Sequence, residues 1–202
     1  MPSAARARVL TAAMRLFGAH GYAATTVTQI EQAAGLSPGS GAIYRHFPTK
    51  QAILEAGVAE QIAAAEGLVA WFRDTAALDL LPLPARLLVV ARAGLRRLEQ
   101  ESDLNRLVLR DLAQFPILLA RVGNEDIARV FGAFAAWLRA QGDHRDVDVE
   151  AVAMVLMGAV THLWIMQDVF GEHPAGVDED RYLVAAAELG AALLSRGAEG
   201  DR

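Results

Sequence analysis

The stretch from Thr25 to Lys50, TTVTQIEQAAGLSPGSGAIYRHFPTK, constrains the fold more than any other part of the chain. It is punctuated as two short helices joined by a tight turn. Thr26 is followed three residues later by Gln29, the capping-box spacing that satisfies first-turn N–H groups at a helix start. Ile30, Ala33 and Ala34 then read as an inward face. Gly35 suits the left-handed position after the last turn, and Leu36 plugs the corner. Ser37-Pro38 reads as a fresh cap with proline at the first position of a second helix. That helix carries Ile43, Tyr44 and Phe47; Pro48 stops it, and Thr49 caps the next one. Such a pair is a helix-turn-helix, whose second helix can enter a DNA major groove while the first crosses the backbone.

The rest of the chain is predicted to be helical as well, so the fold class is all-α. Ala (40) and Leu (26) make up about a third of 202 residues, and both are strong helix formers. Alternating β-branched runs bounded by turns are hard to find. One helix precedes the block, from about Ser3 to His20, with Val9, Ala13, Leu16 and Phe17 on one face. Another follows it from Thr49 to about Phe72, with Ile53, Leu54, Val58 and Ile62 inward. Residues 73–83, with Pro82 and then Pro84, read as a boundary. Five further helical stretches follow, at about 84–100, 103–115, 116–142 (interrupted at Gly123-Asn124), 148–171 and 178–196. The domain reading is therefore a helix-turn-helix DNA-binding domain over 1–50, a connecting helix over 51–72, and a ligand-binding and dimerisation bundle over 73–202.

Net charge is −5, which on its own argues against a nucleic-acid partner. Its distribution argues the other way. Residues 1–50 hold Arg6, Arg8, Arg15, Arg45 and Lys50 against Glu31 alone, whereas the remainder holds 14 basic and 23 acidic side chains. A basic head on an acidic body points to an anionic partner at one end. A hydrophobic content of 53% excludes disorder over most of the length. The absence of cysteine excludes disulfides, thiolate zinc sites and a cysteine nucleophile, and suits a reducing cytoplasm. The start, MPSAARARVLTAAMRLF, interleaves charge with apolar residues and shows no signal-peptide pattern. The uncharged run Ala151–Gln167 is shorter than the roughly 20 residues of a membrane span and reads as a buried helix of a cytoplasmic protein with no membrane partner.

The pieces LTAAMRLFGAHGYAATTVTQIEQAAGLS and IYRHFPTKQAIL resemble the TetR family of bacterial transcriptional repressors. The resemblance covers residues 5–60 by motif, and 75–202 only by the number, length and order of helices. It implies phosphate contacts for Thr26, Tyr44, His46 and Lys50, and an approach to base edges by Ser37, Pro38, Gly39 and Ser40. The chain departs from the family between Gly35 and Tyr44, where LSPGSGAI is two residues longer than the common pattern. Gly39 and Gly41 lower local helicity there. Arg45 is the only long side chain with reach to bases, and it turns to phosphate if the helix is extended by part of a turn. His46 has no second ligand-type residue at i±3 or i±4, which argues against a metal role.

The resemblance also implies a homodimer built on the last two long helices, bound to a palindromic double-stranded DNA operator and released by a small, largely apolar ligand. Ala186 and Gly190, beside Leu183, Ala187 and Leu194, form a small-residue stripe suited to close helix approach. Leu163 and Gln167 are the interface candidates on the preceding helix. Candidate ligand residues are Leu107, Arg110, Phe115, Phe134, Trp137, Met154, Met157, Thr161 and Trp164, since aromatics and methionines suit an apolar molecule. Each of these also reads as ordinary core, Arg110 with Asp111 as a surface pair, and His162 as a core histidine. The run from Asp143 to Glu150 reads as a polar loop feeding a helix N-terminus. No cofactor motif, Ser-His-Asp spacing or paired acid/base motif stands out. The competing readings are an α-helical small-molecule enzyme and a protein-interaction module, each with a purely structural head.

Overall fold

The computed structural model describes residues 4–142 and 146–195. The expected cap Ser3, the residues Asp143, His144 and Arg145 of the polar run, and position 196 of the last helix lie outside them. All regular structure among the described residues is helical. Within them, ten α-helices run α1 Ala4–His20, α2 Val27–Ala33, α3 Lys50–Ala64, α4 Glu66–Trp71, α5 Leu83–Gln100, α6 Ser102–Arg110, α7 Pro116–Arg121, α8 Ala128–Arg139, α9 Val149–Phe170 and α10 Glu179–Ser195. Short 3-10 turns lie at Ala42–Arg45, Ala76–Leu80 and Leu112–Gln114.

One element departs from the sequence reading, and one expected interruption is found where it was read. The connecting helix predicted to reach Phe72 breaks at Ala65 into α3 and α4. The helix predicted between Pro116 and Gly142 is interrupted where Gly123-Asn124 falls, by the π-helical turn Val122–Ile127 between α7 and α8. Ile127, expected on the inward face there, is half exposed.

The chain folds as two compact units. The first comprises Met1–Glu66 together with Glu101–Ile127. Its core joins Val9, Ala13 and Phe17 of α1 to Ile30, Ile43, Phe47, Ile53, Leu54 and Val58. Leu104, Leu107 and Leu112 close the same core, so residues 101–127 belong to the first unit, where the 73–202 division groups them with the bundle. The stripe 104/107 covers α1, and Gly18 permits the approach: a Cβ there would lie 2.7 Å from Asp103 Cα.

The second unit comprises Gly67–Gln100 and Ala128–Arg202. Here α10 packs against α5 and α9, and α8 packs against α9. One cluster joins Phe72, Leu87 and Val90 to Phe134, Trp137, Leu138, Val152, Leu156 and Ala187. A second joins Leu95, Val160, Leu163, Trp164 and Leu183. By length and composition α9 could also cross a membrane; in this fold one of its faces is buried in both clusters.

Candidate nucleic-acid interface

The start of α2 is built as its sequence dictates. Gln29 N–H donates to Thr26 Oγ1 (3.2 Å), and Thr26 N–H donates to Gln29 Oε1 (2.7 Å). The Thr26 hydroxyl also points at Gln29 Oε1, 3.0 Å away, and rotation frees it for a phosphate oxygen. Thr25, beside it, is buried and donates to Gly21 O (2.8 Å), so only one of the two threonines faces solvent. The end of α2 closes through Gly35 at φ +70°, with Leu36 N–H donating to Glu31 O at 2.8 Å and the Leu36 side chain packed on the core.

The expected second helix is much shorter than its sequence punctuation implies. Ser37-Pro38 does not start it. Residues 37–41 form a turn with Gly39 at φ +74° and Gly41 at φ +68°, and helical geometry is confined to the single 3-10 turn Ala42–Arg45. Left-handed glycines cannot continue a right-handed helix, and this turn accommodates the two additional residues. Ser37, Pro38, Gly39 and Ser40 are all exposed. Ile43 and Phe47 are buried anchors, while Tyr44 (54% exposed), Arg45 and His46 project outward.

Lys50 does not project outward. Its ammonium donates to Tyr22 O (2.8 Å) and Thr25 O (2.9 Å) and lies 4.2 Å from the Tyr22 ring centroid. Two of its three N–H groups therefore hold the α1–α2 turn, and the phosphate contact expected of it has one donor left. Burial, and then the Glu55 carboxylate, push the Tyr22 phenol above 10.0. The arginines of α1 are also partly engaged within the head. Arg6 pairs with Glu60 at 2.9 Å and lies 5.1 Å from the Phe47 ring centroid, and Arg8 Nε donates to Ala34 O (3.1 Å) at the end of α2.

Glu31 is the residue that the sequence reading passed over. It is 1% exposed, while Ala33, expected to face inward, is exposed. The inward stripe of α2 is 27/30/31/34, the i, i+3, i+4, i+7 pattern of an amphipathic helix. Counting that pattern from Val27 would have placed the single acid of residues 1–50 inside.

The ligand candidates divide between the two units. Leu107, Arg110 and Phe115 belong to the first unit. Leu107 is core, Phe115 packs edge-on to Tyr22 with centroids 4.9 Å apart, and Arg110 caps the end of α1 by donating to Phe17 O (2.7 Å) and Gly18 O (3.0 Å). These three contribute nothing to the cavity of the second unit. That cavity, about 100 Å³, lies among α4, α5, α8, α9 and α10, and Phe134, Met157, Thr161 and Ala186 line it as the sequence suggested for the first three. Leu68, Phe72, Val90, Gly94, Arg97 and Leu98 line it too and were not foreseen. Trp137 stacks on Phe134 with ring centroids 6.1 Å apart, donates to Thr75 Oγ1 at 2.9 Å, and lines a second and more open cavity of the same unit, about 710 Å³, with Thr75, Arg129 and Gln141. Trp164 is buried in a different cluster, and Met154 is 62% exposed.

The expected dimer residues are mostly covered within this chain. Leu163, Leu183, Ala187, Gly190 and Leu194 are buried, because the small-residue stripe of α10 faces inward: a Cβ on Gly190 would lie 2.9 Å from Leu156 Cδ1. Gln167 is half-buried and donates to Glu179 (3.1 Å), and Ala186 faces the cavity. The exposed large apolar residues on these helices are instead Met154, Val155, Val169 and Phe170 of α9 and Val184 and Leu189 of α10.

Together, the capped α2, the glycine-pinned corner and the outward 37–46 segment define a helix-turn-helix module of the DNA-reading class. The family model of the bacterial regulatory proteins of the tetR family matches residues 9–56. It is 36% identical over 111 residues to the HTH-type transcriptional repressor Rv1474c of Mycobacterium tuberculosis, a match covering 52% of this chain and 56% of that relative. The match thus spans little more than half the relative's length. The fold is similar to that of PfmR, a TetR family transcriptional regulator of Thermus thermophilus, at TM-score 0.63 and 26% identity over 94% of this chain and 100% of that one. A bacterial regulatory protein of the tetR family from Rhodococcus RHA1 is similar at TM-score 0.67 and 25% identity, over 95% and 97% of the two chains.

Proposed function

We propose that this protein is a cytoplasmic, homodimeric transcriptional regulator that represses from a palindromic operator and is released by a small, apolar ligand. The observation that carries the reading is the exposure of Ser37–Ser40 and Tyr44–His46 on a head whose buried residues, Ile43 and Phe47, anchor the same segment from beneath. Hydroxyls, backbone amides and Tyr44 are suited to phosphate and sugar, with Arg45 as the long side chain available to bases. Residues 1–50 form the DNA-reading part, and the cavity in the second unit is the ligand site. The repressor named among the relatives supports repression over activation.

The uncovered residues Met154, Val155, Val184 and Leu189 support a second copy of this chain as the partner of α9 and α10. Paired heads match a two-fold operator with half-sites about 34 Å, or a multiple of that, apart. A ligand lowers operator affinity only if it binds the released state more tightly. The deciding experiment is selection of genomic fragments by the purified protein, then footprinting. A protected inverted repeat whose affinity falls in Tyr44→Phe and Arg45→Ala supports the reading. Retention of no fragment above background rejects it.

A further inference from the structure

The head contains one acidic side chain within residues 1–50, and the fold places it beneath the segment that faces the duplex. Glu31 Oε2 accepts from Gly39 N–H at 2.7 Å, and Oε1 accepts from Ile43 N–H at 3.5 Å. The two acceptor oxygens therefore bridge both ends of the turn that stands where a longer helix was expected. The remaining backbone donors show why the bridge matters. Ser40 N–H donates to Ser37 O (3.2 Å), Ala42 N–H to Ser40 Oγ (3.3 Å) and Tyr44 N–H to Gly41 O (3.0 Å). Every one of these is local to residues 37–44. The N-cap Gly41 has no side chain of its own to cap the turn. In the 37–43 stretch, Glu31 supplies the polar contacts that tie the turn back to α2; the other tie is the apolar anchor Ile43.

We propose that Glu31 is a positioning residue for DNA reading. Its carboxylate does the work that a full first turn of a recognition helix would do, holding 39–43 so that Ser40, Tyr44 and Arg45 meet the duplex in one register. A buried carboxylate with two backbone donors has no comparable alternative partner in the turn, so the arrangement is held from inside and leaves the outer surface free for DNA. The proposal rests on the DNA-binding reading, because it assigns how that same interface is held.

The test uses the full chain as Glu31→Gln and Glu31→Ala, with the fragment selected by the wild-type protein. Glu31→Gln keeps the size but sets an amide N–H₂ against a backbone donor. Both variants are expected to keep wild-type far-UV circular dichroism and sequence-independent binding at low salt. Specific affinity is expected to fall about tenfold, the scale of one lost hydrogen bond to a charged group. In the wild-type protein, the Gly39 amide is expected to exchange its hydrogen much more slowly than the exposed Ser37 amide. Specific affinity within twofold of wild type in both variants, or a Gly39 amide that exchanges as fast as Ser37, overturns the proposal. If neither variant folds, the exchange measurement on the wild-type chain decides. If the wild-type chain selects no fragment, the regulator reading fails, and the exchange rates still show whether Glu31 holds the turn.

Discussion

The Lys50 ammonium sits 4.2 Å from the centre of the Tyr22 ring and donates to the carbonyls of Tyr22 and Thr25 at 2.8 and 2.9 Å. The first residue of α3 is thereby tied to the turn between α1 and α2, and the cation is spent mainly on the head's own backbone. Lys50→Ala is therefore expected to lower unfolding free energy by about 2 kcal/mol, the scale of hydrogen bonds to a charged group, read by urea denaturation. The slope of log affinity against log salt should stay as in the wild type. A slope reduced by about 1 would instead assign Lys50 to a phosphate.

Arg110 is expected to behave as a cap of α1 and not as a ligand residue. Its guanidinium bonds Phe17 O and Gly18 O and pairs with Asp111 at 2.9 Å, whose carboxylate also faces Tyr22 N–H at 3.4 Å. Arg110→Ala releases two carbonyls and leaves the buried Asp111 without its cation, a loss of about 2 kcal/mol. Lysine rescues little, because a single ammonium does not reproduce the fork. Binding of 1-anilinonaphthalene-8-sulfonate to the second unit should be unchanged; weakened dye binding would return Arg110 to the ligand site.

Two glycines separate backbone from side-chain crowding. A Cβ on Gly18 would meet Asp103 Cα at 2.7 Å, whereas one on Gly57 would meet Met14 Sδ at 2.5 Å. The thioether can rotate away and the α6 backbone cannot. Gly18→Ala should therefore destabilise the first unit by about 2 kcal/mol, while Gly57→Ala stays within about 1 kcal/mol of wild type. Equal melting temperatures for the two variants would contradict this geometry.

The cavity has room at Gly94, where an added Cβ meets only Val160 Cγ1 at 3.8 Å. Gly94→Leu is expected to fill the space, abolish dye uptake and leave operator affinity within twofold. Retained dye binding at wild-type affinity would place the apolar site elsewhere.

Burial raises the Tyr182 phenol above its ordinary 10.0. The folded state then favours the neutral ring, and the unfolded chain loses that proton first as pH rises. This contribution is whole below pH 10.0 and is lost as pH climbs through the folded value. Thermal unfolding followed from pH 8 to about 11 should decline more steeply in the wild type than in Tyr182→Phe. Parallel curves would refute the assignment.

The sequence carried the head further than the body. Thr26-Gln29, Gly35-Leu36 and Pro48-Thr49 are local signals whose chemistry acts within four residues, and each operates as read. Ser37-Pro38 misled because its cap-like spelling is local, whereas Gly39 and Gly41 with the distant Glu31 decide the outcome. The interface stripe Leu183/Ala187/Gly190/Leu194 was legible as a close-packing face, but periodicity does not say whether the neighbour is α9 or a second protomer. Leu107 and Arg110 show the same limit: their spacing announces an amphipathic helix, and only the fold shows that α1 is what they cover.

Three of the seven positions from 35 to 41 hold left-handed backbone, at Gly35, Gly39 and Gly41. Any side chain there strains the corner, Leu36 is committed to packing, and Ser37, Pro38 and Ser40 are what remain. A lineage descended from this chain thus has a narrow mutational alphabet in the turn for shifting its target site, and drift toward new operators must draw heavily on Arg45 and the DNA's own deformability.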